Sequence, residues 1–212
     1  MPDAQSLKTI NKHKLVYVIC LILSSAVFLG ETFLGLFFKL HCLVSDASSN
    51  LVDTIMYAVS IWAVSQTLKH QRRTTYFICL IQFVIGMFSL SFFVVGVVEV
   101  SHSNPDWMIM IISSSVSFVV SLVQSIIIYR TEHKGSVGKT NAIFTYIGLL
   151  SAFCGILSGI VIMFLMKSPH VTHDWYDTPD LVVSLVFSSL IIFQSIKIFV
   201  DIKRNKKVDI IQ

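Results

Sequence analysis

Apolar residues in this chain come in long runs separated by short clusters of charge. Cutting at those clusters leaves six apolar blocks, approximately 15–38, 43–66, 76–98, 107–129, 141–166 and 180–200. A helix that crosses a bilayer needs about 20 apolar residues at a rise of about 1.5 Å each, and every block reaches that length. The pattern predicts an all-α, polytopic membrane protein: a six-helix transmembrane domain over 15–200, an N-terminal tail over 1–14 and a C-terminal tail over 201–212. The first block is too long for a signal-peptide core and closes on no small-residue cleavage pattern, so it is expected to be retained as a helix. The longest connection on the tails' side, TEHKGSVGKT, carries Gly135 and Gly138 and divides the chain into four helices followed by two.

The second block departs from the others. It opens LVSDASSNLVDT, and Asp46, Ser49, Asn50, Asp53, Tyr57 and Ser60 fall at offsets of 0, 3, 4, 7, 11 and 14. At 3.6 residues per turn these share one helix face. An ionised side chain at the bilayer centre costs at least ~2.5–3.5 kcal/mol, so the stripe must turn toward other helices or a wet cavity. Asp53 lies deepest in the block, and Glu31 is the matching deep acid of the first. Gln82, Gln124 and Gln194 read as interhelical hydrogen-bond partners, and Gly148, Ala152, Gly155 and Gly159 as a small-residue packing seam.

Composition sharpens this picture. The chain is 54% hydrophobic and 13% charged, against about a quarter charged in soluble domains. Its net charge of +4 is distributed as a topology signal. Lys8, Lys12, Lys14, Lys69, Arg72, Arg73, Arg130, Lys134 and Lys139 fall in the first tail or the even connections, and Lys197, Lys203, Arg204, Lys206 and Lys207 at the last end. Only Lys39 and Lys167 lie opposite, which places both termini in the cytoplasm. Basic residues split among short loops make no nucleic-acid footprint.

Other chemistry is thinly represented. Glu99, His102, Asp106, His170, His173, Asp174 and Asp177 gather in the opposite loops, where the simpler reading is solvation and the sharper one a divalent cation. Cys20, Cys42, Cys79 and Cys154 sit in or beside different blocks and form no CxxC pair or disulfide framework. No Arg lies inside a span, as a voltage sensor requires, and all seven His lie in tails, loops or helix ends. An intramembrane serine protease therefore lacks its base, and no enzyme is expected.

Three patches resemble one family. SDASSNLVD is similar to the second-helix signature of the cation diffusion facilitators, NAIFTYIGLLSAFCGILSG to their fifth helix, and WYDTPDLVVS followed by KIFVD to the entry and exit of their sixth. The chain looks like the short branch of that family, which lacks the usual cytosolic domain after helix six. The resemblance implies a homodimer that exports a divalent cation, most often zinc, from the cytosol in exchange for protons, with two ligands from helix two and two from helix five. Carried over, those positions are Ser49 and Asp53, then Leu150 and Cys154, and only Asp53 keeps the family's residue type.

The expectation is thus a reduced metal site of Asp53, Cys154, Ser49 and Glu31, with Zn2+ and protons as substrates, the lipid bilayer as surroundings and no bound cofactor. An alternative is a six-helix membrane scaffold or regulatory subunit that has lost the metal site.

Overall fold

The computed structural model describes residues 4–63, 68–98, 106–131, 136–168, 176 and 178–208. They form six α-helices: α1 (Ala4–Phe37), α2 (His41–Ala63), α3 (Leu68–Val98), α4 (Trp107–Thr131), α5 (Ser136–Lys167) and α6 (Thr178–Val208). No strand occurs among the described residues. Long uninterrupted helices satisfy every interior backbone group within the segment, which is what a hydrocarbon environment demands.

The bundle is polar inside and apolar outside. Leu15, Ile22, Leu29, Phe33, Phe88, Val116, Phe164 and Phe193 project outward, while at least as many polar as apolar side chains are buried. Water would not stabilise such a surface, whereas lipid does. Five helices are long and apolar enough to cross a membrane, over His13–Phe37, Thr75–Val95, Trp107–Arg130, Thr145–Lys167 and Thr178–Val200. This accords with a multi-pass membrane protein.

The helix outside that set is α2, because its polar face lowers its hydropathy. Its position explains how it tolerates that face: α2 packs on α1, α3, α5 and α6 and touches α4, so the other helices shelter it. The helices also run past the predicted block edges. α1 begins at Ala4, α3 at Leu68, and α6 continues to Val208. α5 begins at Ser136, so the predicted loop already becomes helical before Gly138.

Local chemistry fixes both ends of the α1–α2 turn. Lys39 adopts φ 55°, the left-handed conformation that ends a helix. Leu40 N–H then reaches back to Gly35 O at 2.9 Å and Phe38 N–H to Leu34 O at 2.9 Å. Across the bundle, Asp180 near the start of α6 accepts from the first two amides of α2, His41 N–H at 2.7 Å and Cys42 N–H at 2.8 Å. A carboxylate there also meets the positive end of the helix dipole. Deeper, Ser89 and Ser188 hydroxyls lie 2.7 Å apart, and Ser89 donates to Ser45 at 3.3 Å, knotting α3, α6 and α2 together.

The expected roles of Gln82, Gln124 and the glycines are visible. Gln82 donates to Met56 Sδ at 3.0 Å, linking α3 to α2, and Gln124 donates to Ser24 Oγ at 2.8 Å and Cys20 O at 3.0 Å, linking α4 to α1. Gln194 is half-buried in a groove beside Leu149, Leu150 and Phe153. The glycine seam lies against α4, where a β-carbon on Gly155 would collide with Ser114 and one on Gly159 would lie 2.6 Å from Ile111 Cγ1.

Candidate functional site

The polar face of α2 meets polar faces of α1, α4 and α5, and together they make a buried polar column. From α4 come Ser114, Ser117, Ser121 and Gln124, spaced 3, 4 and 3 and therefore on one face. From α5 come Thr145, Gly148, Ser151, Gly155 and Ser158, and all of these residues are buried. Two acidic centres occupy the column. Asp46 and Asp53 are seven residues apart, about 10 Å along α2.

The first centre holds Glu31 and Asp46, 2% and 1% exposed. Asn50 orients Glu31: its side-chain amide donates to Glu31 Oε2 at 2.8 Å, and the same nitrogen lies 3.3 Å from Ser117 Oγ and 3.2 Å from Asp46 O. Glu31 Oε1 accepts nothing. Ser151, Glu31 and Ser117 act on the Asp46 carboxyl as hydrogen-bonding groups, although neither oxygen completes a bond of full geometry.

The second centre is Asp53, 1% exposed, at the side of Gly148. A β-carbon on Gly148 would sit 3.5 Å from Asp53 Oδ2, 3.6 Å from Ser121 Oγ and 3.9 Å from Ser49 Oγ. Three oxygens from α2 and α4 thus converge where α5 carries no side chain, and neither Asp53 Oδ2 nor Ser121 Oγ has a hydrogen-bond partner. Beyond it the column continues to Tyr57, whose hydroxyl lies 2.9 Å from Thr145 Oγ1.

The four residues expected to form one metal site are distributed over both centres. Ser49 and Asp53 come together beside Gly148. Glu31 belongs to the first centre, bonded to Asn50. Cys154 is partly buried and stands near Asp46 and Cys42. Leu150, the other helix-five position of the resemblance, is 50% exposed on the outer face. The face that α5 turns inward is its Gly148, Ser151 and Gly155 face, so α5 gives the Asp53 centre space and no ligand. Among the described residues no three of His, Cys, Asp and Glu converge as a metal site.

Of the loop residues, Asp106 is described and caps α4, accepting from Met108 N–H at 3.1 Å and Ile109 N–H at 3.2 Å. Glu99, His102, His170, His173, Asp174 and Asp177 lie outside the described residues.

Sequence reasoning left Asp46 and the serines of α4 and α5 out of the site. The signal existed: Ser114, Ser117, Ser121 and Gln124 recur at helical spacing within an apolar span, as the α2 stripe does. No family model matches the chain, and no curated protein matches it.

Proposed function

We propose that this protein moves a cation across a membrane, in exchange for protons, through the column formed by α1, α2, α4 and α5. One observation carries the reading. Glu31, Asp46 and Asp53 are all buried, with no basic side chain among the described residues acting on any of them. A buried carboxyl is neutralised either by a proton or by a bound cation, and acids that can exchange one for the other are the parts from which ion and proton pathways are built.

In this reading α2 crosses the bilayer inside the shell of the other five helices, which makes six spans with both termini cytoplasmic. Asp53 is the central ligand, helped by Ser49 and Ser121. A cation entering from the cytosol displaces protons from the acids, the helices rearrange about α2, and protons from the far side drive release. All three acids are buried, as in an occluded state, and Glu31 borders a cleft of about 480 Å³ between α1 and α4 that offers a lateral approach to the first centre. The resemblance to the cation diffusion facilitators agrees with proton-coupled efflux from a homodimer and suggests zinc as the cargo.

Purified protein reconstituted into liposomes tests this. Under an imposed proton gradient, uptake of Zn2+, Mn2+ or Mg2+ above protein-free vesicles is expected, together with its loss in Asp53→Asn. Absence of flux for all three ions ends the reading. The scaffold alternative is favoured by one observation, the lack of a helix-five ligand at Leu150, and normal flux in Asp53→Asn would equally remove Asp53 from the pathway.

A further inference from the structure

We infer that Glu31, Asp46, Ser117 and Ser151 form a binding site for a hard divalent cation, Mn2+ or Mg2+, between α1, α2, α4 and α5. This assignment deepens the transport reading and rests on it for its physiological meaning.

Unused bonding capacity marks this site. Three carboxylate oxygens, Glu31 Oε1 and Asp46 Oδ1 and Oδ2, are buried and unpaired within one small region. Buried polar groups in folded proteins are almost always bonded, and exceptions point to an ion or water between them. Ser151, Glu31 and Ser117 stand close enough to the Asp46 carboxyl to act on it as hydrogen-bonding groups, although neither oxygen completes a bond of full geometry. Two buried carboxyls this close repel each other unless a positive charge, a shared proton or a small cation, lies between them.

The framework is also organised in advance. Asn50 engages Glu31 through Oε2 alone, at 2.8 Å, which fixes the carboxylate and leaves Oε1 free. The same amide nitrogen lies 3.3 Å from Ser117 Oγ, so it occupies one lone pair of that hydroxyl. An orienting second partner of this kind is typical of metal ligands.

Donor type and charge select the ion. Two carboxylates supply a charge that balances one divalent cation, and every donor is an oxygen. Carboxylate and hydroxyl oxygens suit Mg2+ and Mn2+, which are commonly held by one or two carboxylates with water completing the shell. Zinc prefers imidazole and thiolate, and no His stands at this centre, while Cys154 is only partly buried at its edge. The site shares α2, α4 and α5 with the Asp53 centre but none of its residues, so the two can be separated by mutation.

The test is direct binding, which needs no transport. Full-length protein in nanodiscs is titrated with Mn2+ while the six-line EPR signal of free Mn2+ is followed, and Mg2+ and Zn2+ are then added as competitors. A saturable Mn2+ site is expected that survives Asp53→Asn, weakened at least tenfold in Glu31→Gln and in Asp46→Asn, and a few-fold in Ser151→Ala, which keeps both carboxyls. Each variant is accepted only with a wild-type gel-filtration profile. Loss of Mn2+ binding in Cys154→Ser would reveal a sulfur ligand and overturn the assignment. Binding that persists in Glu31→Gln and Asp46→Asn but vanishes in Asp53→Asn also overturns it, and leaves the transport reading intact. Binding with the expected variant pattern but without flux in liposomes upholds the site and removes transport.

Discussion

The side-chain amide of Asn50 donates to Glu31 Oε2 at 2.8 Å across the α1–α2 interface, joining the deepest acid of one helix to the polar stripe of the next. Asn50→Leu removes that donor and leaves Glu31 with both oxygens unpaired. A buried group so orphaned costs about 1–3 kcal/mol. Denaturant or thermal unfolding in detergent is expected to show a loss of that size, and an unchanged midpoint would mean that the bond is not maintained.

The amides at the start of α2 depend on Asp180. Asp180→Ala leaves His41 N–H and Cys42 N–H without their carboxylate, and loss of a helix cap costs about 0.5–2 kcal/mol. Hydrogen exchange read by mass spectrometry is expected to accelerate in the peptide containing the first turn of α2, more than in α4 or α5.

Close approach of α4 and α5 depends on residues without side chains. A β-carbon on Gly159 would lie 2.6 Å from Ile111 Cγ1 and 3.2 Å from Trp107 O. Overpacking typically costs about 1–3 kcal/mol, so Gly159→Val is expected to lower the unfolding midpoint. Gly30→Ala, on a glycine with nothing within 4 Å of its β-position, is the control and should be near neutral.

Thiol chemistry reports the packing without mutation. Cys20, Cys42 and Cys79 are buried, and Cys154 is partly exposed. A water-soluble maleimide applied to protein in detergent is expected to modify Cys154 first and the other three only after denaturation. Early modification of Cys42 would contradict the packing of α2 against α5.

Leu150 decides between alignment and geometry. Restoring a ligand by Leu150→His would strengthen zinc binding if the helix-five position faced the Asp53 centre. It points outward instead, 50% exposed. Zinc affinity measured by calorimetry is therefore expected to stay within about twofold of wild type, because a ligand that does not converge adds little.

Much of this arrangement could be read from the chain. Helical period placed Asp46, Asn50 and Asp53 on one buried face, and 4- and 3-residue spacing identified the Gly148 to Gly159 seam. Burial of Gln82 and Gln124 also followed from their lone polarity in apolar spans. What period alone does not give is rotation of one helix against another. Cys154 and Ser151 are neighbours in α5, but one lies at the edge and the other faces the column, and the difference arises from where glycines let α5 seat on α4. Serine was under-read for a related reason: it is common in membrane helices as packing filler, so Ser117, Ser121 and Ser151 gain meaning only when acids stand beside them. The edges of α1, α3, α5 and α6 ran past the hydropathy blocks because a helix already nucleated in lipid continues through polar residues at little cost.

The carboxylate that α6 lends to α2 has a mechanical corollary. With the first turn of α2 hung on Asp180 and its next turn tied through Ser45 to Ser89 and Ser188, the trio α2, α3 and α6 forms a stator. α1 is packed on α2 more extensively than any other helix pair, so breathing that wets the acids is expected where α4 and α5 meet α2, and spin labels on those two helices are where displacement belongs.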